Sequence, residues 1–276
     1  MPDLLEFILL FALAGALTGL LMALFGVGGG AFVVPVIDTL FHQLPGLAPV
    51  PLKIAVICSL VAIGMGSASR AVHLLRHRMV PLRSVGLLAA GSVLPALLGV
   101  GLLTSLSGET IRLLFALLLV AVGLWTAFGR PAELDGAPPT WGRGPLRSQP
   151  LLLLAIGGAA GLASSMFGLG GATLLMPLLT MRARMAAIDA VNLSMVFVAF
   201  ATVQSLLMFG LGGALDPDRL RAAGVTGDHA VLLAVLTLTV VAGQAFFARR
   251  LGRIEDRLRR RLLAAYLLAA AAWMFR

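Results

Sequence analysis

The sequence predicts an all-α polytopic membrane protein made of two inverted repeats of transmembrane helices. Each repeat is interrupted by a glycine-rich break and a short or re-entrant helix. Three observations carry this expectation. Hydrophobic residues fill 59% of the 276 positions and charged residues only 12%. That is more apolar surface than such a chain can hide from water, so lipid must be its main solvent. Apolar runs of roughly 20 residues recur, each long enough to cross a ~30 Å hydrocarbon core as a helix. Finally, one twelve-residue pattern occurs twice, 142 positions apart. The first copy is Phe25-Gly26-Val27-Gly28-Gly29-Gly30-Ala31-Phe32-Val33-Val34-Pro35-Val36. The second is Phe167-Gly168-Leu169-Gly170-Gly171-Ala172-Thr173-Leu174-Leu175-Met176-Pro177-Leu178.

The elements follow in order along the chain. Met1 to Glu6 carries Asp3 and Glu6 without a basic residue. A cleavable signal needs a positive start, so the first apolar run is expected to stay as a helix. Long helices are predicted at about 4–24, 52–72, 83–104 and 110–128, then at about 150–167, 187–212, 229–248 and 261–275. Short pieces at about 31–41 and 172–181 follow the two glycine motifs and would cover roughly half a bilayer. Each contains a proline, Pro35 or Pro177, that marks a structural helix break. The chain thus divides into a first transmembrane repeat at 1–128, a Pro- and Gly-rich cytoplasmic linker at 129–149 and a second repeat at 150–276.

Charge sets the orientation. If each short piece returns the chain to the side where its preceding helix began, 16 of the 21 Lys and Arg residues share one side. They include Arg70, Arg76, Arg78 and Arg83, the linker arginines, and the cluster from Arg249 to Arg261. Lys53, Arg112, Arg219, Arg221 and Arg276 lie opposite. The basic side is the cytoplasmic one. Five passes per half is an odd number, so the second half would lie upside down. The loops agree with this. The basic loop after the third piece has a counterpart at 213–230 with two arginines and three aspartates. The nearly neutral loop at 104–112 corresponds to the most basic stretch, 249–261.

A Gly-x-Gly-Gly break frees backbone N–H groups and leaves no side chains to shield them. Together with the positive end of the following helix, such donors can hold an anion. Two breaks paired by inversion would meet near the bilayer midplane, the usual binding place of a transporter. The candidate substrate-binding residues are Gly26, Gly28, Gly29, Gly30 and Ala31 in the first break, and Gly168, Gly170, Gly171, Ala172 and Thr173 in the second. Glycines also serve simply to let membrane helices pack closely; the duplication and the shared proline favour the site. Ala55-Val56-Ile57-Cys58-Ser59-Leu60 lines up with Ala190-Val191-Asn192-Leu193-Ser194-Met195, which adds Ser59, Asn192 and Ser194 as polar candidates. Interhelical hydrogen bonds worth about 0.6 kcal/mol each are the plainer account of such residues. Gln204 and Gln244 fall in the same class.

Other chemistries find little support. No Gly-Lys-Ser/Thr follows either motif, so neither is a phosphate-binding P-loop. Cys58 is the one cysteine, which rules out an internal disulfide, and His42, His73, His77 and His229 form no metal motif. Arginines in short patches between apolar runs speak for membrane orientation rather than nucleic acid. No carboxylate sits deep in a predicted helix; Glu6, Asp38 and Asp189 lie near ends, and Lys53 and Asp189 read as interface anchors. No catalytic residue, metal or cofactor is implied. Gly66-Ser67-Ala68-Ser69 near His73 gives only a superficial hydrolase pattern, since no second helix supplies a base.

On these motifs the chain resembles the sulfite exporter TauE/SafE family of bacterial membrane permeases. Two halves each open with a helix ending in Gly-x-Gly-Gly-Gly/Ala with a proline shortly after, here Gly26 to Pro35 and Gly168 to Pro177. The resemblance implies a carrier in the bacterial cytoplasmic membrane for a small anion such as sulfite, an organosulfonate or a related sulfur compound. Ala172 departs from the pattern, standing where the first motif has its third glycine. The expected partners are the anion and the lipid bilayer, with homo-oligomerisation left open. The alternative is a non-transporting membrane assembly protein.

Overall fold

The computed structural model describes residues 2–26, 29–43, 51–129, 150–183, 185–250 and 256–275. Ten of its helices match the predicted pieces within a few residues. The first half holds α1 (Pro2–Phe25), α2 (Gly30–Gln43), α3 (Leu52–Arg76), α4 (Leu82–Ser105) and α5 (Gly108–Phe128). The second holds α6 (Pro150–Phe167), α7 (Ala172–Met181), α8 (Ala187–Leu211), α9 (Pro217–Ala222), α10 (Gly227–Arg250) and α11 (Asp256–Met274). The sequence reading missed α9, a single turn and a half capped by Asp216; its length falls below what hydrophobic periodicity can register. The predicted linker falls at 129–149, of which only Gly129 lies within the described residues.

Seven of the described helices are long and apolar enough to cross a membrane. α11 is not among them, because Arg257, Arg259, Arg260 and Arg261 occupy its first turns. The two short helices behave as their sequences dictate. α2 and α7 run for 14 and 10 residues with Pro35 and Pro177 inside, about 21 and 15 Å at 1.5 Å per residue.

Packing pairs helices across the two halves rather than within them. α1 lies along α10 and α4 along α6, in each case with backbones nearly touching. A Cβ added at Gly157 would stand 2.1 Å from the Leu88 carbonyl oxygen, and one at Gly91 2.1 Å from that of Leu154. Gly19 and Gly161, the upstream glycines shared by the repeat, serve here: added Cβ atoms would meet Gln244 N at 2.5 Å and Ser92 Cβ at 2.6 Å. Lipid tails give apolar helices no reason to associate, so close van der Waals contact through small residues has to hold them.

Two pairs of equal rank, α3 with α8 and α5 with α11, meet antiparallel. Gly64 of α3 faces Thr202 of α8, while Arg70 reaches back to Asn192, so residue numbers fall on α8 as they rise on α3. In the same way Gly123 of α5 faces Leu267 and Leu268 of α11, while Gly129 accepts a 2.6 Å hydrogen bond from Arg260. α1 and α10 run parallel instead, with Gly15 on Thr239 and Gly19 on Gln244.

The basic end of α3 is exposed, while polar contacts tie α2 to α5 and α11. His73 and His77 sit exposed at the end of α3 with rings 4.4 Å apart, the solvated helix end their spacing suggests. On α2, Asp38 is buried and accepts a 2.6 Å bond from Arg112 of α5, and Thr39 accepts one from the Trp273 indole.

Candidate functional site

Each break is a short reversal of backbone that only glycine adopts without strain. Gly26 and Gly168, which hold the same place in the two motifs, have φ of 65° and 67°. Gly29 and Gly171 have 70° and 78°, and Gly170 has 65°. A Cβ in this left-handed region costs roughly 1 kcal/mol or more per residue, so the glycines do more than permit packing. Gly28 lies outside the described residues.

The phenylalanine that opens each motif fixes the break to the opposite half. Phe25 stacks on Tyr266 of α11 with ring centres 6.0 Å apart and planes at 16°. Phe167 stacks on Phe115 of α5 at 5.5 Å with the same 16°. Such pairs contribute about 0.5–1.5 kcal/mol beyond the area they bury. The shared Phe therefore has a structural reason to be repeated.

The two breaks touch. A Cβ built on Gly30 would stand 2.4 Å from the Gly168 carbonyl oxygen and 2.6 Å from Leu169 Cα. The meeting point is closed in this conformation. Gly170 faces Val198 and Ile63, Gly26 faces Val191, and Gly30 faces Ile63. Ile63 and Val198 are counterparts in the register that aligns α3 with α8, and both are fully buried. Branched aliphatic side chains thus fill the space between the breaks.

Donors remain at the head of α7. Its first amide to find a backbone acceptor is that of Leu175, which donates to Gly171 at 3.0 Å. The amides of Ala172, Thr173 and Leu174 precede it, with no carbonyl of an earlier turn in register. In the first break Phe32 and Val33 both donate to the Gly29 carbonyl, at 2.9 and 3.0 Å. Thr173 and Ser194 are completely buried, and their hydroxyls have no hydrogen-bond partner among the described residues. The same holds for Ser164, which lies one turn beyond Ala160, the residue whose carbonyl faces Gly171. A buried hydroxyl left unpaired costs about 1–3 kcal/mol.

The other polar candidates have partners within the protein, several of them the interhelical contacts that are the plainer account of such residues. Ser59 donates to the carbonyls of Val56 and Gly168, both at 2.8 Å. Its proton is spent on holding the second break against α3. Asn192 accepts from Arg70 Nη2 at 3.2 Å, beside Val191, which covers Gly26. Gln204 is committed to Ser92 through both its oxygen and its nitrogen. Gln244 reaches the Met195 sulfur at 4.0 Å. Lys53 caps the end of α4 by donating to the Thr104 carbonyl, whereas Asp189 is buried rather than at a wet surface. Ser67 and Ser69 donate to the carbonyls of Ile63 and Gly66, so neither is poised as a nucleophile. Among the described residues no cluster of His, Cys, Asp and Glu could hold a metal.

Comparison with known proteins decides the family. The profile of the family described as sulfite exporter TauE/SafE matches residues 11–274. The chain belongs to that family. It is 30% identical to a probable membrane transporter protein of Haemophilus influenzae over 258 residues, covering 89% of this chain and 88% of that one. Two probable membrane transporter proteins from Xylella fastidiosa strains are 30% and 28% identical over 188 and 194 residues. Those matches cover 67% and 70% of this chain and of each relative. No solved structure matches. As a member of this transporter family the protein is a multi-pass membrane transporter, not an enzyme.

Sequence reasoning missed two residues. Arg70 was counted among the arginines that set orientation, yet it lies within the apolar span Leu52–Arg76 and reaches across to α8. Its position inside the span was the available signal. Ser164 carries no signal of its own, being one serine in an apolar helix; only the fold puts it on the face of α6 that looks toward the break.

Proposed function

We propose that the protein carries a small oxyanion, sulfite, an organosulfonate or a close relative, across the bacterial cytoplasmic membrane by alternating access. The anion would lodge where the two breaks meet, on the free amides at the head of α7 with the hydroxyls of Thr173, Ser164 and Ser194. The observation that carries this reading is a buried hydroxyl without a partner among the described residues beside each break, Thr173 at the second and Ser194, one turn from Val191, at the first, together with the contact between Gly30 and Gly168. Oxyanions accept from both amide and hydroxyl donors, and the N-terminus of α7 favours negative charge. The first-break residues Gly26, Gly28, Gly29, Gly30 and Ala31 would form the facing wall.

In this reading the halves are inverted repeats, the second upside down. The antiparallel meeting of α3 with α8 and of α5 with α11 supports inversion, since parallel repeats would bring equal-ranking helices together in the same direction. The concentration of 16 basic residues on one side supports the orientation. One half rocking against the other would part Ile63 from Val198 and open the site to alternate sides.

Proteoliposomes containing the purified protein and radiolabelled sulfite test the proposal. Uptake should be saturable and should compete with small organosulfonates. Thr173→Val and Gly170→Leu proteins that insert normally should transport at least about tenfold more slowly, the cost of one or two charge-assisted hydrogen bonds. Wild-type rates in both variants would remove the site.

A further inference from the structure

Among the described residues Arg70 forms no ion pair. Its one hydrogen-bond partner there is the neutral side-chain oxygen of Asn192, and its buried Nε has none among them. A guanidinium carries five donors in a rigid fork suited to oxyanions. Arg70 is half-buried within an apolar span, and ionisable residues placed there mark ion pathways. A guanidinium held by a single neutral acceptor keeps donors for a negative one that comes and goes.

Its location fits that role. Asn192 is the neighbour of Val191, whose side chain covers Gly26 at the first break. Arg70 also stands toward the basic end of α3, with Arg76 and Arg78 beyond it. The mirrored position offers nothing comparable. In the register that aligns α3 with α8, Arg70 corresponds to Ser205 and Asn192 to Ile57. Of these two mirrored positions only that of Arg70 carries a positive charge.

We infer that Arg70 selects for negative charge on the approach to the site, exchanging the Asn192 amide oxygen for the oxygens of the incoming oxyanion. This rests on the reading of the breaks as an anion site and adds the residue that screens what reaches it. Asn192 acts as the resting partner that holds the guanidinium until the anion arrives.

The test is sulfite binding by the full-length purified protein, read as the rise in melting temperature with sulfite concentration. Apo melting temperature is read alongside. Arg70→Gln should weaken the apparent sulfite affinity by at least about tenfold, and Arg70→Lys, which keeps charge but loses the fork, by less. Asn192→Asp should weaken it as Arg70→Gln does, because a permanent carboxylate neutralises the guanidinium in place. A purely structural Arg70 would instead lower the apo melting temperature and leave the sulfite dependence intact. Unchanged affinity in Arg70→Gln, or in Asn192→Asp where Arg70→Gln is not recovered folded, overturns the inference alone. A wild-type protein that neither binds nor transports sulfite or any small organosulfonate overturns the anion site, and this inference with it.

Discussion

The two breaks share one skeleton and differ in what lines it. Both turn through left-handed glycines at equivalent positions, and both are anchored by a stacked phenylalanine to the opposite half. The hydroxyls are another matter. Where the second half has Ser164 and Thr173, the first has Met22 and Ala31. Ser59 and Ser194 are counterparts in the register of α3 and α8, yet only Ser59 has a bond, to Gly168. The lesson is that duplication preserved the frame that breaks a helix in lipid, and left each copy free to be polar or apolar. The unpaired hydroxyls of Ser164 and Thr173 lie at the second break, while Ser194, one turn from Val191, and Arg70 lie beside the first. A ligand site built this way has two unequal walls.

Substitutions can sharpen that contrast. The largest effect is expected at the contact itself. Gly30→Val would drive a branched side chain into the backbone of Gly168 and Leu169, a clash with no flexible neighbour to yield. Loss of about 3 kcal/mol or more is expected, read as failure to recover monodisperse protein. Next comes Asp38→Asn, which leaves Arg112 without its carboxylate on the anchor of α2. Because Arg112 is 41% exposed, solvent softens the cost to about 1–3 kcal/mol, visible as a lower melting temperature.

The serine pair gives the cleanest comparison. Ser59→Ala strips the Gly168 carbonyl of its partner and should destabilise by about 1–2 kcal/mol. Ser194→Ala removes a hydroxyl that has no partner and should leave apo stability unchanged or slightly raised, while sulfite transport falls. Equal destabilisation by both would erase the difference between the halves. The smallest stability change, opposite in sign, is expected for Thr173→Val: a gain of up to about 1 kcal/mol from removing an unpaired buried hydroxyl. A loss of stability would mean that the hydroxyl is satisfied within the apo protein.

Much of this was legible in the residues, for identifiable reasons. Helix positions came through because lipid demands long apolar runs and punishes breakers, so Gly and Pro mark the ends plainly. The breaks themselves were legible because Gly-x-Gly-Gly appears twice, and glycine is the residue that a left-handed reversal requires. Side-chain commitments were hidden. Ser59 and Ser194 look alike in sequence, and only the packing of α3 on the second break shows that one is occupied. Arg70 hid among arginines that obey the positive-inside rule, since a residue near a helix end can serve orientation and still reach inward. Ile63 and Val198 gave no warning that they fill the meeting point, because aliphatic residues in membrane helices are unremarkable anywhere.

The most direct test of the account is amide hydrogen exchange of the purified protein, followed by mass spectrometry on peptides spanning 167–176 with and without sulfite. If the head of α7 cradles the anion, exchange at Gly170 to Leu174 should slow on adding sulfite, and Thr173→Val should blunt the effect. Protection confined to other segments, with this stretch unchanged while sulfite is bound, would contradict it.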